Sequence, residues 1–191
     1  GDHKVDGGSY TLDDHGDLKR IGNTTPHYAY SITLDGSYKW FDFRVYFQGI
    51  GKRDYVFPNS APYFGIASEW QRTLYKEHLD YFRFAGSELG SNQDPFYGRI
   101  RIDGNNAKIS ARFVENAAYC RLKNVQLGFT IPFSEAAKKY IKHCRIYVSG
   151  ENLLTFTNLR IFDPEAINGA WGPGKSYPNY RTFSIGADIK F

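Results

Sequence analysis

The chain is predicted to be all-β, an antiparallel sheet of the transmembrane-barrel kind with long loops at one end. Three observations predict this. The clearest is the C-terminal stretch, where Phe183, Ile185, Ala187, Ile189 and Phe191 alternate with Thr182, Ser184, Gly186, Asp188 and Lys190. A period of two gives a strand with one apolar and one wet face, and the roughly 9–11 residues that cross a bilayer obliquely fit its length. The second is that short and long connections alternate along the chain, as periplasmic turns and outer loops do in such barrels. The third is an aromatic content of 17%, with Tyr 15 and Phe 15, in a chain that is 23% charged. The same alternation and aromatics also suit a soluble carbohydrate-binding β-sandwich, whose two apolar faces would pack on each other.

Each element follows from its own pattern. Residues 28–38 set Tyr28, Tyr30, Ile32, Leu34 and Tyr38 against Ala29, Ser31, Thr33, Asp35 and Ser37. A tight Lys39-Trp40 connection leads to residues 41–49, where Phe41, Phe43, Val45 and Phe47 oppose Asp42, Arg44, Tyr46 and Gln48. That pair reads as a hairpin. A long irregular stretch follows, with a helix expected over 68–84 from Trp70, Leu74, Leu79 and Phe82. The third strand covers 119–131, with Val125, Leu127, Phe129 and Ile131 as its apolar row. Pro132 to Glu135 then opens a short helix to about Ile141, with Ser134 as its N-cap. The fourth strand is 144–154, a Gly- and Pro-rich loop covers 155–180, and the last strand runs to Phe191. The expected organisation is therefore an outer loop at 1–27, a barrel hairpin at 28–50, a long outer loop at 51–117, and three terminal strands at 118–191 with a short periplasmic helix and an outer loop.

Other function classes find little support. The net charge of +4 is spread along the chain, and the cluster Lys138, Lys139, Lys142, His143 and Arg145 is too sparse for a nucleic-acid footprint. No apolar run approaches the ~18 residues of a spanning helix. Cys120 and Cys144 are expected at opposite ends of the sheet. No nucleophile elbow, zinc-protease, phosphate-loop or paired-cysteine motif is present, and the five histidines lack metal-ligand spacing. Asp163 and Glu165 are read as part of a turn rather than an acid–base pair, so no enzyme is expected. The absence of Met points to a processed chain or a fragment. Five strands fall short of the roughly eight that close the smallest membrane barrels, so partner strands are expected elsewhere.

Several ordered motifs then converge. Tyr119-Cys120-Arg121-Leu122-Lys123-Asn124-Val125-Gln126-Leu127-Gly128-Phe129, with Pro132 behind it, resembles the Y-x-RLKN-V-x-LGY-x-x-P signature of the SusC/RagA group of TonB-dependent outer-membrane transporters. Gly150 to Thr157 resembles that group's G-Q/E-NLLTFT segment, and Asp163-Pro164-Glu165 its following DPE. Tyr177-Pro178 and Arg181 to Gly186 resemble the approach to its terminal strand. Upstream, Ile21-Gly22-Asn23, Pro26 and Phe47-Gln48-Gly49 also fit.

The resemblance implies an outer-membrane barrel of about 22 strands, a size that needs a plug, of which this chain is the last quarter. It implies as partners the remaining barrel and plug, a SusD-like surface lipoprotein, the TonB-ExbB-ExbD complex, and an oligosaccharide or peptide cargo. Under it, Arg44, Tyr46, Gln48, Arg145, Tyr147 and Glu151 line the lumen, and Phe191 carries the barrel-assembly signal. Tyr63, Trp70, Trp171 and Tyr177 on outer loops are the candidates for touching cargo or lid. The acidic opening keeps Asp2, Asp6 and Gly7 of a calcium-like loop, but His3, Lys4 and Val5 replace donors or small residues. Calcium takes six to eight oxygens, so no cofactor is expected, with Ca²⁺ at Asp2 and Asp6 the weak exception.

Overall fold

Alternating side chains and a two-residue turn produce the first hairpin. Strand β1 (His27–Tyr38) and strand β2 (Phe41–Lys52) pair antiparallel from His27 opposite Lys52 to Tyr38 opposite Phe41. Lys39 makes the turn at a left-handed φ of 55°. The computed structural model describes residues 6–56, 76–98, 110–167 and 177–191. Past two short strands, β3 (Asp54–Val56) and β4 (Val114–Asn116), the sheet resumes with β5 (Tyr119–Thr130). A single helical turn, α1 (Glu135–Lys138), leads to β6 (His143–Thr157), and β7 (Thr182–Lys190) closes the chain. The five long strands form one sheet in the order β1-β2-β5-β6-β7, and β3 pairs with β4 in a separate small ladder.

The register aligns the apolar rows of all five strands. Leu34 lies opposite Val45, Val45 opposite Val125, and Val125 opposite Gly150. One layer along, Phe43, Leu127, Val148 and Ile185 run side by side. Neither row is covered: Leu34 is 52% exposed, Leu127 55%, and Phe183, opposite Gly150, 76%. Aromatic residues crowd both ends of this face, with Tyr38, Phe41 and Phe191 at the short-connection end and Tyr28, Phe156 and Phe183 at the other. An aliphatic band between aromatic girdles is the lipid-facing pattern of an outer-membrane wall. The sandwich reading is not favoured, because it requires this face to be packed against a second sheet and no such sheet covers it among the described residues.

Extra residues interrupt the ladder midway along β5 and β6. Opposite Tyr46 and Phe47 of β2 stand Asn124 and Leu122, so Lys123 bulges out. The β5–β6 register shifts between the same two residues, and Asn152 on β6 takes a left-handed φ of 52°. A one-residue slip turns every later side chain to the opposite face. The bulge therefore points Leu122 to the apolar side and Arg121 to the polar side. Unbroken alternation from Val125 would have aimed Arg121 into lipid.

At the long-loop end a small core forms where the sheet's rim meets the loops. Tyr55, Tyr97, Phe113, Ala117, Leu159 and Ile167 are buried together, flanked by Phe96, Ile161 and Phe162. The Tyr55 hydroxyl donates to the Ile167 carbonyl at 3.4 Å, joining the loop after β2 to the loop after β6. Burial pushes the Tyr55 phenol up to about 12, and it does the same to Tyr97, helped by the Glu115 charge.

The helix expected over 68–84 does not form across its described part. Lys76–Leu79 make one 3-10 turn, after which Tyr81 and Arg83 bridge to Tyr97 and Asn92. His78 rather than Leu79 is buried there, so the helical apolar spacing does not match the observed packing. The helix expected to reach Ile141 is four residues long, and Ser134 occupies its N-cap without a side-chain capping bond.

A cation at the bilayer midplane on the lipid face costs about 2–4 kcal/mol. In the complete protein, Val148→Arg should reduce the fraction migrating as the compact unheated gel band. Gln126→Arg, one row away on the polar face, should leave it unchanged.

Candidate functional site: the polar wall and its docked loop

Arg44, Tyr46, Gln48, Arg145, Tyr147 and Glu151 all fall on the face opposite the exposed apolar rows. The ladder sets Arg44 beside Gln126, Tyr46 beside Asn124, Gln48 beside Arg121, and Glu151 between Asn124 and Thr182. Charges on this face are mostly paired. Arg44 Nε donates to Asp35 Oδ1 at 2.6 Å, but both side chains are more than half exposed, so the pair contributes at most about 1 kcal/mol.

A stronger pair spans three strands. Arg145 Nε donates to Asp42 Oδ2 at 2.8 Å and Nη2 to Oδ1 at 2.5 Å, a bidentate fork between β6 and β2. The fork passes over β5 at Gly128, where a Cβ would collide with both partners. Tyr147 supports the guanidinium 5.0 Å from its ring centroid, and its ring in turn lies over Gly186 of β7. Bare glycines at Gly128 and Gly186 thus let long side chains lie flat across the wall.

Towards the long-loop end the polar face is covered by its own loop. Arg121 is 2% exposed. Its Nη2 donates to Asp163 Oδ1 and its Nη1 to Glu165 Oε2, each at 2.7 Å, while Nε donates to Thr155 Oγ1 at 2.9 Å. Lys123 Nζ donates to Glu165 Oε2 at 2.8 Å, and the Tyr119 hydroxyl donates to Glu165 Oε1 at 3.2 Å. Asn179 closes the cluster, its backbone N–H reaching Asp163 Oδ2 at 3.2 Å and its side-chain amide reaching Glu165. Burial works to raise the Asp163 carboxyl, but the Arg121 hydrogen bond and charge, with the Glu165 and Asn179 amides, outweigh it and hold it below its ordinary value.

Asp163 and Glu165 are thus ion-pair partners, a correction to their reading as turn formers alone. The turn is present too, since the Glu165 N–H donates to Asp163 Oδ1 at 2.9 Å and the Ala166 N–H to the Asp163 carbonyl at 2.9 Å. The missed signal was the apolar spacing of three between Leu122 and Val125, which marks the bulge and so turns Arg121 inward.

The remaining candidates lie apart from this cluster. Tyr177 is 84% exposed at the long-loop end, and Phe191 is 79% exposed at the other. Tyr63, Trp70, Trp171 and Asp2 lie outside the described residues. Asp6 belongs to a tight acidic turn, accepting from the Gly8 N–H at 3.0 Å while its own N–H donates to Asp17 at 3.1 Å. Among the described residues no group of three His, Cys, Asp or Glu side chains is placed to hold a metal ion.

Comparison with known proteins agrees with this geometry. No protein-family model matches the chain. TonB-dependent receptor P3 of Formosa agariphila is 32% identical over 189 residues, which are 92% of this chain and 17% of that protein. TonB-dependent receptor P26 of the same organism is 28% identical over 207 residues, covering 100% of this chain and 20% of the relative. Among solved structures, the RagAB peptide transporter matches with a TM-score of 0.61 at 25% identity, over 88% of this chain and 17% of that one. The RagAB peptide importer matches in its open-open state (TM-score 0.64) and its closed-closed state (0.66), each at 24% identity over 95% of this chain and 19% of the importer's. This chain is a wall segment of a SusC/RagA-type TonB-dependent receptor. Such receptors are outer-membrane barrels, and the segment spans about a fifth of the length of its curated relatives, from 17% to 20%.

In the complete receptor, Arg121→Ala would strand two carboxylates in a covered site, and breaking a buried pair in this way costs about 3–5 kcal/mol. The expected readout is a lower melting temperature of the detergent-solubilised protein, with Arg121→Lys recovering part of the loss. Because the docked Asp163 pKa lies below the unfolded one, its contribution is complete above about pH 4 and drains as pH falls through the lowered docked value. Hydrogen exchange at the Ala166 and Asn179 amides, corrected for intrinsic rate, should therefore be flat from pH 8 to 5 and rise below 4.

Proposed function

We propose that this segment forms part of the wall and outer mouth of a TonB-dependent importer that takes up oligosaccharides or peptides beneath a SusD-like surface lipoprotein. The observation that carries the reading is the two-faced sheet: an uncovered apolar band backed by a paired, charged polar face. Lipid requires the first and a water-filled, plugged lumen explains the second. Two sources support the importer activity, the names of the curated relatives and the peptide-import role stated for RagAB. These relatives are receptors and transporters, and the reading assigns the segment no chemical reaction.

In this reading Arg44, Tyr46, Gln48, Arg145, Tyr147 and Glu151 line the lumen. The long-loop end is extracellular, so Tyr177, together with Tyr63, Trp70 and Trp171, meets cargo or lid. The short connections and Phe191 are periplasmic, and Phe191 presents the assembly signal. The remaining barrel and plug complete the pore, and the TonB-ExbB-ExbD complex supplies the pull that frees the plug.

Affinity purification of the complete protein from outer membranes should recover a surface lipoprotein in about equal amount. Cells carrying it should accumulate a labelled oligosaccharide or peptide pool, and uptake should vanish when TonB is deleted. Recovery of the protein without a lipoprotein, and TonB-independent uptake, would overturn the proposal. Removal of Phe191 should lower the outer-membrane level of the protein while leaving its synthesis unchanged.

A further inference from the structure

The exposed apolar face is not uniform. Near the short-connection end it is hollowed into a groove of about 610 Å³. Tyr38 and Phe41 border its end, and Phe43, Leu127, Ile146 and Val148 line its length. The hollow has a cause in the sequence. Gly36 carries no side chain, so the Phe43 ring lies over β1, where a Cβ at Gly36 would collide with it. Phe41 packs instead on Phe129, ring centroids 4.9 Å apart, and both pairs border the groove. A cation is held at the groove's end. Lys39 Nζ lies 5.3 Å from the centroid of the Tyr38 ring, which draws the ammonium to the lipid-facing side of the turn. Lysine is an unusual occupant of that position. Two-residue hairpin turns with φ > 0 favour Gly, Asn or Asp, yet Lys39 stands at φ 55° with the exposed ring of Trp40 beside it. Tryptophan there is an interfacial anchor.

Charge at this end is one-sided. Residues 131–142 carry Lys138, Lys139 and Lys142 against Glu135 alone. Lys138 takes Glu135 at 2.6 Å, and Lys142 Nζ donates to the Phe191 carbonyl at 3.0 Å. Arg145 and Asp42 neutralise each other on the opposite face. Among the described residues Lys39 and Lys139 have no carboxylate partner. We infer that the groove is a binding site for an anionic phospholipid, one acyl chain lying along Phe43, Leu127 and Val148 and the phosphate meeting Lys39. Lys139 adds to the positive field. A zwitterionic head group carries its own ammonium and gains less from Lys39. A second copy of this chain docked through the same patch would set like charges together, which is unfavourable. That the lipid comes from the periplasmic leaflet rests on the importer reading; the preference for an anion does not.

The experiment delipidates the complete receptor in detergent and loads it with equal amounts of dioleoyl phosphatidylglycerol and dioleoyl phosphatidylethanolamine. Native mass spectrometry then counts the lipids retained. Phosphatidylglycerol should be retained about fivefold over the zwitterionic lipid, the factor that one lysine beside an anionic head group supplies. Lys39→Asn removes the charge but suits the left-handed backbone, so it should keep the compact unheated gel band and lower the ratio by that factor. Lys139→Gln should lower it less, and Lys39→Arg should preserve it. Leu127→Trp fills the groove and should cut retention of phosphatidylglycerol, whereas excess water-soluble glycerophosphate should not displace it. Equal retention of the two lipids, an unchanged ratio in Lys39→Asn, or displacement by glycerophosphate would overturn the site. Loss of self-association rather than of lipid in Leu127→Trp would assign the groove to a second copy and overturn it too. Orientation is read separately, with Ala136→Cys in the connection after β5 and with Cys120→Ser and Cys144→Ala. That cysteine should resist an impermeant maleimide on intact cells. Labelling from outside counts against the importer orientation and not against the anion preference.

Discussion

A wall with oil on one side and water on the other must keep the parity of every strand, since a single slip exchanges the two environments. Five strands here hold that parity although β5 and β6 carry extra residues that β2 lacks. The insertions occur at one level, around Lys123 and Asn152: one residue of β5 and two of β6 lie between pairs that are adjacent on β2, and the apolar rows realign beyond it. Leu122, Phe47 and Leu154 then continue the greasy band begun by Val125 and Val45. The other face gains Arg121 at a depth where a covering loop supplies two carboxylates.

The wall itself was readable because its signal is local. Alternation in 28–38, 41–49 and 182–191 needs no knowledge of distant residues, and the β1–β2 and β5–β6 pairings follow from the short connections between those strands. The uncovered apolar face decided between membrane wall and soluble sandwich, a choice that alternation alone leaves open. Loop structure was far less legible. The apolar spacing of Leu74, Leu79 and Phe82 looked helical, yet residues 76–83 make a 3-10 turn and isolated bridges. Their conformation answers to long-range partners such as the Tyr97 ring, 5.3 Å from His78, which no window of sequence contains.

The carboxylates at 163 and 165 show the same division. Asp-Pro is a strong turn signal, and the turn is present. Their second role depends on the bulge, on the fold-back of the loop, and on Asn179, and each of these is a tertiary event. A pattern-level clue did exist, in the break from a spacing of two to three between Leu122 and Val125. Parity defects in otherwise regular strands therefore repay attention as markers of where side chains change sides.

The small core at the rim reaches beyond the molecule's own stability. Because Tyr55, Phe113, Leu159 and Ile167 interlock residues from both long loops, neither loop is an independent module on the wall. Variation in one must be matched in the other, so the pair should be inherited as a block. Grafting a new specificity onto such a barrel by transplanting a single loop would leave a mismatched seam, whereas moving both loops with their shared core preserves the fit.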